Sequence, residues 1–354
     1  MKGKWMMILL FVLLTLGLAA CSNTEKTQTE VIKKSNEEVI KIKIADSFPN
    51  THSIAKLGVI PWIERIEELG EGKIEVEYYP AEQLGKAASL LDLAKNKVAD
   101  ITYVMPGYFA DKMPLSSIAS NPGLVPGTVV GSKAYNKLVQ ENLYELEFKP
   151  NGVKPLWAAT LNPYQIVTAD RPVKSVEDFK GLRVFTSGGV QEAIMHHFNS
   201  TPVSMSASEI YTSWDRGTID SAMLTLFSWP GYQVDKLAKY SSTNAQLTSV
   251  GFAYVVNEEV WNSWPENVQN VVSQASEETI EKLSTGIAEL EESLQEEYEA
   301  EGIEFYEIQP DELKKWNEEL KPINEKWAED LEAKGLPGTE ILEKFQQYIE
   351  EFQQ

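Results

Sequence analysis

The sequence predicts an α/β protein built as two similar lobes, and three observations carry that expectation. Leu182 to Thr186 is a short β-branched and aromatic run that ends at Ser187-Gly188-Gly189 and opens into a helical pattern. After a turn expected at Pro202, Ser208 to Arg216 reads as a second helix stopping at Gly217, and Thr218 to Phe227 as a buried strand before Pro230-Gly231. Strand–helix–turn–helix–strand is the unit of a parallel α/β sheet, and such sheets bind ligands beyond the carboxyl ends of their strands. Thirdly, Leu93 to Val104 echoes Ser213 to Leu224: a helix end, a polar turn, a small step, an Asp and a hydrophobic strand. Two echoes are too few for a solenoid. They fit two lobes facing one another.

Taken in order, the chain opens with Lys2 and Lys4, an apolar run from Trp5 to Leu16, and Leu18-Ala19-Ala20 before Cys21. This is the pattern of a bacterial lipoprotein signal over 1–20, with Cys21 lipidated and becoming the mature N-terminus. As a transmembrane span the run is marginal. Loss of Lys2 and Lys4 with the signal takes the net charge from −21 to −23. Cys21 is the only cysteine, which excludes disulfides and Cys-based metal sites within the chain. Residues 21–38, polar and without apolar periodicity beyond the Cys, are expected to be a disordered tether outside the cytoplasmic membrane.

Val39 to Ala45 alternates as a first strand and is followed by the loop Asp46-Ser47-Phe48-Pro49-Asn50-Thr51-His52. A helix through Trp62 and Ile66, a strand at 73–79, a helix at 86–96 and a strand at 100–105 come next. A Pro- and Gly-rich stretch (114–127) precedes a helix expected from Ser132 to Tyr144 and strands at 153–160 and 165–168. Thr248 to Val256 is a strand long enough to cross between lobes. From Pro265 to Ala300 apolar residues recur at three- and four-residue steps with an acidic opposite face, as on a long surface helix. A strand and two helices are expected in 303–354. The lobes are read as 39–163 with 254–300, and 164–253 with 301–354.

With 354 residues, 43% hydrophobic and 24% charged, the chain is ordinary globular material with ample length for a core. A net charge of −21 excludes a phosphate-backbone partner and otherwise reads as a solvated acidic surface. Catalytic chemistry has little support. Of the three histidines, His196 and His197 are helix neighbours pointing about 100° apart, so they cannot share one metal, and one packed with one solvated is the plain expectation. HExxH, GxSxG, phosphate-loop and dinucleotide patterns are all missing, and no cofactor is expected. Gly188-Gly189 before a helix could receive an anion, but a simple strand–helix turn explains the pair equally. Tyr108, Phe109, Trp157, Tyr164, Phe185, Phe227 and Trp229 fall at or beyond strand ends. Singly each is ordinary core; as a set they suggest a pocket with aromatic walls.

The motifs Ser175-Val176-Glu177-Asp178-Phe179-Lys180-Gly181-Leu182-Arg183-Val184, Thr201-Pro202-Val203, Glu209-Ile210-Tyr211 and Gly217-Thr218-Ile219-Asp220 occur in order. Val98-Ala99-Asp100 and Pro106-Gly107-Tyr108-Phe109-Ala110 precede them, and Val256-Asn257-Glu258-Glu259-Val260-Trp261 and Trp264-Pro265 follow. Together they make residues 40–350 resemble the solute-binding proteins of tripartite ATP-independent periplasmic (TRAP) transporters, DctP type. The resemblance implies a two-lobed, periplasmic-binding-protein-like fold with crossing strands and a lobe-spanning helix. It also implies a small organic solute held between the lobes and delivery to a sodium-driven membrane permease.

One departure bears on the solute. The family usually has an Arg that grips a substrate carboxylate two residues after the position of Arg183; here that place is Phe185, and the common Asn falls on Leu224. A further polar or basic family position on the preceding strand matches Gln165. A carboxylate buried here without its partner would cost several kcal/mol. Arg183 lies on the same strand face as Phe185, but a solvated charge is the plainer reading of it. A neutral, aromatic or cationic solute is therefore expected, a cation being held by ring faces. Pocket candidates are Phe185, Tyr108, Trp157, Gln165, Leu224 and Phe227, with Asn162, Arg183 and Trp229 behind them. The expected protein is a monomeric, lipid-anchored, non-catalytic transport component. The rivals are a ligand sensor for a membrane receptor, a secreted enzyme pairing Asp46 or Glu82 with His52, and a structural surface lipoprotein.

Overall fold

The structure, a computed structural model, describes residues 39–354; the expected signal, Cys21 and tether lie outside the described residues. In β1 (Ile40–Ala45) the isoleucines alternate with Lys41 and Lys43, so Ile42 and Ile44 are buried and the lysines face solvent. The chain continues through α1 (Ile60–Leu69), β2 (Ile74–Tyr79), α2 (Leu90–Lys95), β3 (Ile101–Val104), α3 (Thr128–Leu138) and β4 (Val153–Thr160). It then enters β5 (Gln165–Thr168), β6 (Arg183–Thr186), α4 (Val190–His197), β7 (Thr201–Ser204), α5 (Ile210–Asp215), β8 (Ser221–Leu224), α6 (Trp229–Tyr232) and β9 (Tyr240–Ser242). It ends through β10 (Gly251–Asn257), α7 (Glu258–Ser263), α8 (Glu266–Ala300), β11 (Glu304–Tyr306), α9 (Pro310–Glu332) and α10 (Gly338–Gln353).

Two sheets form, in the orders β2-β1-β3-β10-β4 and β11-β9-β5-β8-β6-β7. Neither is all-parallel. In the first, β10 runs antiparallel to β3 and β4; in the second, β5 runs antiparallel to β8 and β9. The cause is topological: β5 and β10 each arrive from the other lobe, and so enter their sheet from the cleft end. Just before they do, Leu161 N–H donates to the Val250 carbonyl (2.9 Å) and Tyr164 N–H to that of Thr248 (2.6 Å). These paired extended segments are the crossing strands.

The turn expected at Pro202 is instead β7, an edge strand parallel to β6. A proline lacks the N–H a central strand needs but is tolerated at an edge. The buried strand expected over 218–227 shortens to β8, α3 starts at Thr128 and continues as a widened helix to Phe148, and β9 was not foreseen.

Helix α8, 35 residues long, buries Val268, Val272, Ala275, Leu283, Ile287 and Leu294 along one stripe. It packs on α1, α3 and β4 of the first lobe and on β11 and the 226–228 turn of the second. Helix α9 also bridges: Trp316 meets Phe179 and Phe198 of the second lobe, while Trp327 Nε1 donates to Ser117 Oγ of the first (2.9 Å). The lobe boundaries read from the sequence shift accordingly. All of β10 belongs to the first sheet, and α10 packs on α3, with Phe345 against Tyr135 (6.2 Å between rings). Ile341, Phe345, Tyr348 and Ile349 make an apolar stripe that α3 covers, so the C-terminal helix joins the first lobe.

Candidate functional site

The lobes touch across the cleft between the sheets. Glu82 of the first lobe accepts hydrogen bonds from Ser206 Oγ (2.6 Å) and Ser208 Oγ (2.8 Å) of the second, and Lys86 pairs with Glu209 (3.1 Å). Ser53 Oγ donates to the Phe227 carbonyl (2.7 Å) and Ala207 N–H to Tyr108 Oη (3.3 Å). Gly188 is also a lobe contact: a Cβ there would sit 2.9 Å from the Gly107 carbonyl oxygen, and its φ of +96° favours glycine as well. The Ser187 N–H is taken by Gln191 Oε1 (2.8 Å).

Behind these contacts lies a small cavity of about 30 Å³, room for one or two waters. Small-molecule sites run to about 300–1,000 Å³, so an organic solute needs these walls to move apart. The cavity walls come from the carboxyl ends of β1, β3, β6 and β8 and from the crossing segments, where open α/β sheets hold ligands. The first lobe contributes Ser47, Phe48, His52, Ile54, Tyr103, Met105 and Tyr108; Leu161 and Tyr164 come from a crossing segment. From the second lobe come Phe185, Ser187, Ala207, Leu224, Ser228 and Tyr232. Phe48 packs edge-on against Tyr103 (4.6 Å), and His52 lies 4.7 Å from both Phe48 and Tyr232. Lys and Arg are absent from this wall.

Of the pocket candidates, the structure brings Phe185, Tyr108 and Leu224 into the wall. It places the others elsewhere. Trp157 is buried in the first lobe, stacked on Tyr254 (4.7 Å). Trp229 is sandwiched between Tyr298 (5.5 Å) and Phe305 (5.8 Å). Phe227 backs His52, with ring centres 6.3 Å apart. Gln165 Oε1 is occupied by Ser242 Oγ and Ala245 N–H, both at 2.9 Å, and Asn162 joins Thr128 N–H to Glu291. Arg183 pairs with Asp220 (3.0 Å) and donates to the Gly217 carbonyl, so it adds no charge to the cavity.

Sequence reasoning missed His52, Tyr103 and Tyr232 as wall residues. His52 had a usable signal, for it closes the loop beyond the first strand, where the strand-end rule that singled out Phe185 also applies. Tyr232, beyond the Pro230-Gly231 break, had none. His196 and His197 are both exposed, where one packed ring was expected; His197 lies 3.4 Å from Glu319.

Burial sets the protonation states. It drives the His52 imidazole down to about 3, leaving it neutral. It pushes the phenols of Tyr103, Tyr108, Tyr164 and Tyr232 upward, so all four stay protonated. Beneath the cavity Asp46 is pushed up by burial to about 7, against hydrogen bonds from Tyr254 (2.7 Å), Tyr78 (2.8 Å) and the Phe48 N–H (3.0 Å). Neither Asp46 nor Glu82 bonds to His52, whose Nδ1 instead accepts from the Ile54 N–H (3.1 Å). Among the described residues, no group of three or more His, Cys, Asp or Glu is placed to hold a metal ion.

A family model described as bacterial extracellular solute-binding protein, family 7 (DctP), matches residues 45–330. The chain belongs to this family. The C4-dicarboxylate-binding periplasmic protein DctP of Rhodobacter capsulatus is 27% identical over 305 residues, covering 80% of this chain and 85% of that protein. A TRAP solute-binding protein of Rhodoferax ferrireducens, solved with copurified benzoate, superposes with a TM-score of 0.83 at 22% identity, covering 89% of this chain and 99% of that one. Another, from a marine metagenome, described as specific for aromatic acid ligands and solved with 3-hydroxybenzoate, gives 0.84 at 20% identity, covering 90% and 100%. These structures share the two-lobed fold. As a DctP-family protein the chain is an extracellular solute-binding protein.

Proposed function

We propose that this solute-binding protein captures an uncharged, ring-bearing organic solute in the cavity between its lobes and releases it to a TRAP-type permease. The observation that carries the reading is a wall of neutral rings and hydroxyls without a Lys or Arg, with Phe185 where relatives of this family commonly place a carboxylate-gripping Arg. A carboxylate entering it would lose its hydration and gain no counter-charge. Two solved structures of the same fold hold benzoate and 3-hydroxybenzoate, which supports ring-shaped occupants; here the acid anchor is replaced by a further ring. Closure follows from differential binding, because a solute touching both walls favours the form in which the lobes meet. Cys21 is the lipid anchor on this reading, 22–38 the leash, and the protein acts as a monomer without catalysis.

The test is a thermal-shift panel on the purified protein with benzoate, benzamide, acetophenone and benzyltrimethylammonium. A ligand at about 100 times its Kd contributes roughly 2.7 kcal/mol to folding stability, a readily measured shift. Stabilisation by benzamide or acetophenone, and none by benzoate, is the expected outcome. Stabilisation by benzoate alone refutes an uncharged solute, and by the ammonium alone replaces it with a cation held on ring faces.

A further inference from the structure

His52 is 1% exposed and lines the cavity between Phe48 and Tyr232. The Ile54 N–H donates to its Nδ1 at 3.1 Å. A neutral imidazole that accepts at one nitrogen carries its proton on the other, so the proton sits on Nε2. That atom is buried without a hydrogen-bond partner. An unmet buried donor is costly, and natural proteins satisfy nearly all of theirs.

The second lobe presses on this ring. Gly231 lies so close that a Cβ there would come within 2.4 Å of His52 Cδ2 and 2.9 Å of its Cα. The Ser53 bond to the Phe227 carbonyl fixes the adjacent backbone to the same element. The imidazole is thus held by one backbone donor and by rings on both sides, and its Nε2–H, on a residue of the cavity wall, is left without a protein partner.

We propose that His52 Nε2–H is the specificity-determining donor of the cavity, reading a carbonyl, ether or similar acceptor oxygen on an uncharged ring solute. The proposal rests on the reading of the cavity as the solute site. A site built around a buried donor rejects an analogue lacking the acceptor far more strongly than an apolar pocket rejects a missing methylene.

The test compares acetophenone with ethylbenzene, which match in size but differ in the carbonyl, by calorimetric titration of the full chain. Wild type should prefer acetophenone by about tenfold or more, as an unmet hydrogen bond of about 1.4 kcal/mol implies. His52→Phe should keep a ring in place and reduce the preference to about twofold or less. Gly231→Ala, which displaces the imidazole, should lose preference in the same direction. A readout independent of any variant is the 15N spectrum of histidine-labelled wild type. It should show His52 as the Nε2–H tautomer, with that nitrogen and its proton shifting on saturation with acetophenone but not ethylbenzene. Equal affinities in wild type, full preference retained in His52→Phe, or an Nδ1–H tautomer overturns the proposal while leaving the cavity as the solute site. Failure of both ring compounds to bind wild type overturns the cavity reading, and the proposal with it.

Discussion

Asp100 and Asp220 hold the same place in the two lobes. The N–H of each donates to a strand carbonyl, that of Lys43 (3.0 Å) or Arg183 (3.1 Å), and each carboxylate accepts from the N–H of that same residue at 2.8 Å. The turns before them match as well. Val98 N–H reaches the Leu93 carbonyl and Lys97 N–H that of Ala94, as Thr218 reaches Ser213 and Gly217 reaches Trp214. This is the helix-ending motif whose pivotal residue is left-handed. The faint echo in the sequence is therefore a repeated structural unit, an Asp clamping one residue of a neighbouring strand in each sheet.

The pivots differ in residue type: Lys97 has φ +58° and Gly217 φ +69°. Lys97→Gly should stabilise the fold by about 1 kcal/mol, since a Cβ is strained there and the exposed pair with Glu259 contributes little. Gly217→Ala should cost about the same. Denaturant unfolding measures both, and a loss on Lys97→Gly would contradict the shared-turn account.

Glu82 joins the lobes through Ser206 and Ser208. Replacing both serines by alanine leaves the first lobe untouched and removes two bonds to a carboxylate. The apparent Kd for solute should rise about tenfold, because closure is disfavoured by roughly 1–2 kcal/mol. Titration calorimetry reads this directly; an unchanged Kd means the contact does not hold the closed form.

Phe185→Arg puts a cation into an apolar wall. The unliganded variant should lose about 3–5 kcal/mol, as an unpaired buried charge does, and benzoate should restore much of the loss while benzamide does not. A variant indifferent to benzoate would mean that position 185 does not face the solute.

Three buried groups tilt stability with pH. Burial raises Asp46 from 3.8 and Glu147 from 4.5, each to about 7, so the folded state holds their protons more tightly. Their contribution is full below pH 4 and is lost as pH rises through 7. His52 acts oppositely: burial lowers it from 6.5 to about 3, so its contribution is present above pH 6.5 and lost as pH falls toward 3. One proton's difference changes the slope by about 1.4 kcal/mol per pH unit. His52→Phe should flatten stability loss on the acid side of 6.5, and Asp46→Asn the decline between 4 and 7, in unfolding curves taken from pH 4 to 8.

The sequence by itself determined the α/β class, nearly every element in order, and the family. These are local facts: alternation in Val39 to Ala45, the three- and four-residue steps of 266–300, and motifs of a few residues at fixed separations. Only the tertiary structure decided which rings share the cavity. Trp157 and Trp229 carry the same strand-end signature as Phe185, yet both are packed away, while His52, Tyr103 and Tyr232 join it from both lobes. Periodicity records which face of an element is buried, not what it is buried against. That is settled when segments some 180 residues apart, such as His52 and Tyr232, are folded to 4.7 Å. The direction of β5 and β10 was likewise set by where the crossing strands re-enter their sheets, the edge position of Pro202 by the pairing of β7 with β6 alone, and the return of α10 to the first lobe by the bridge that α9 makes.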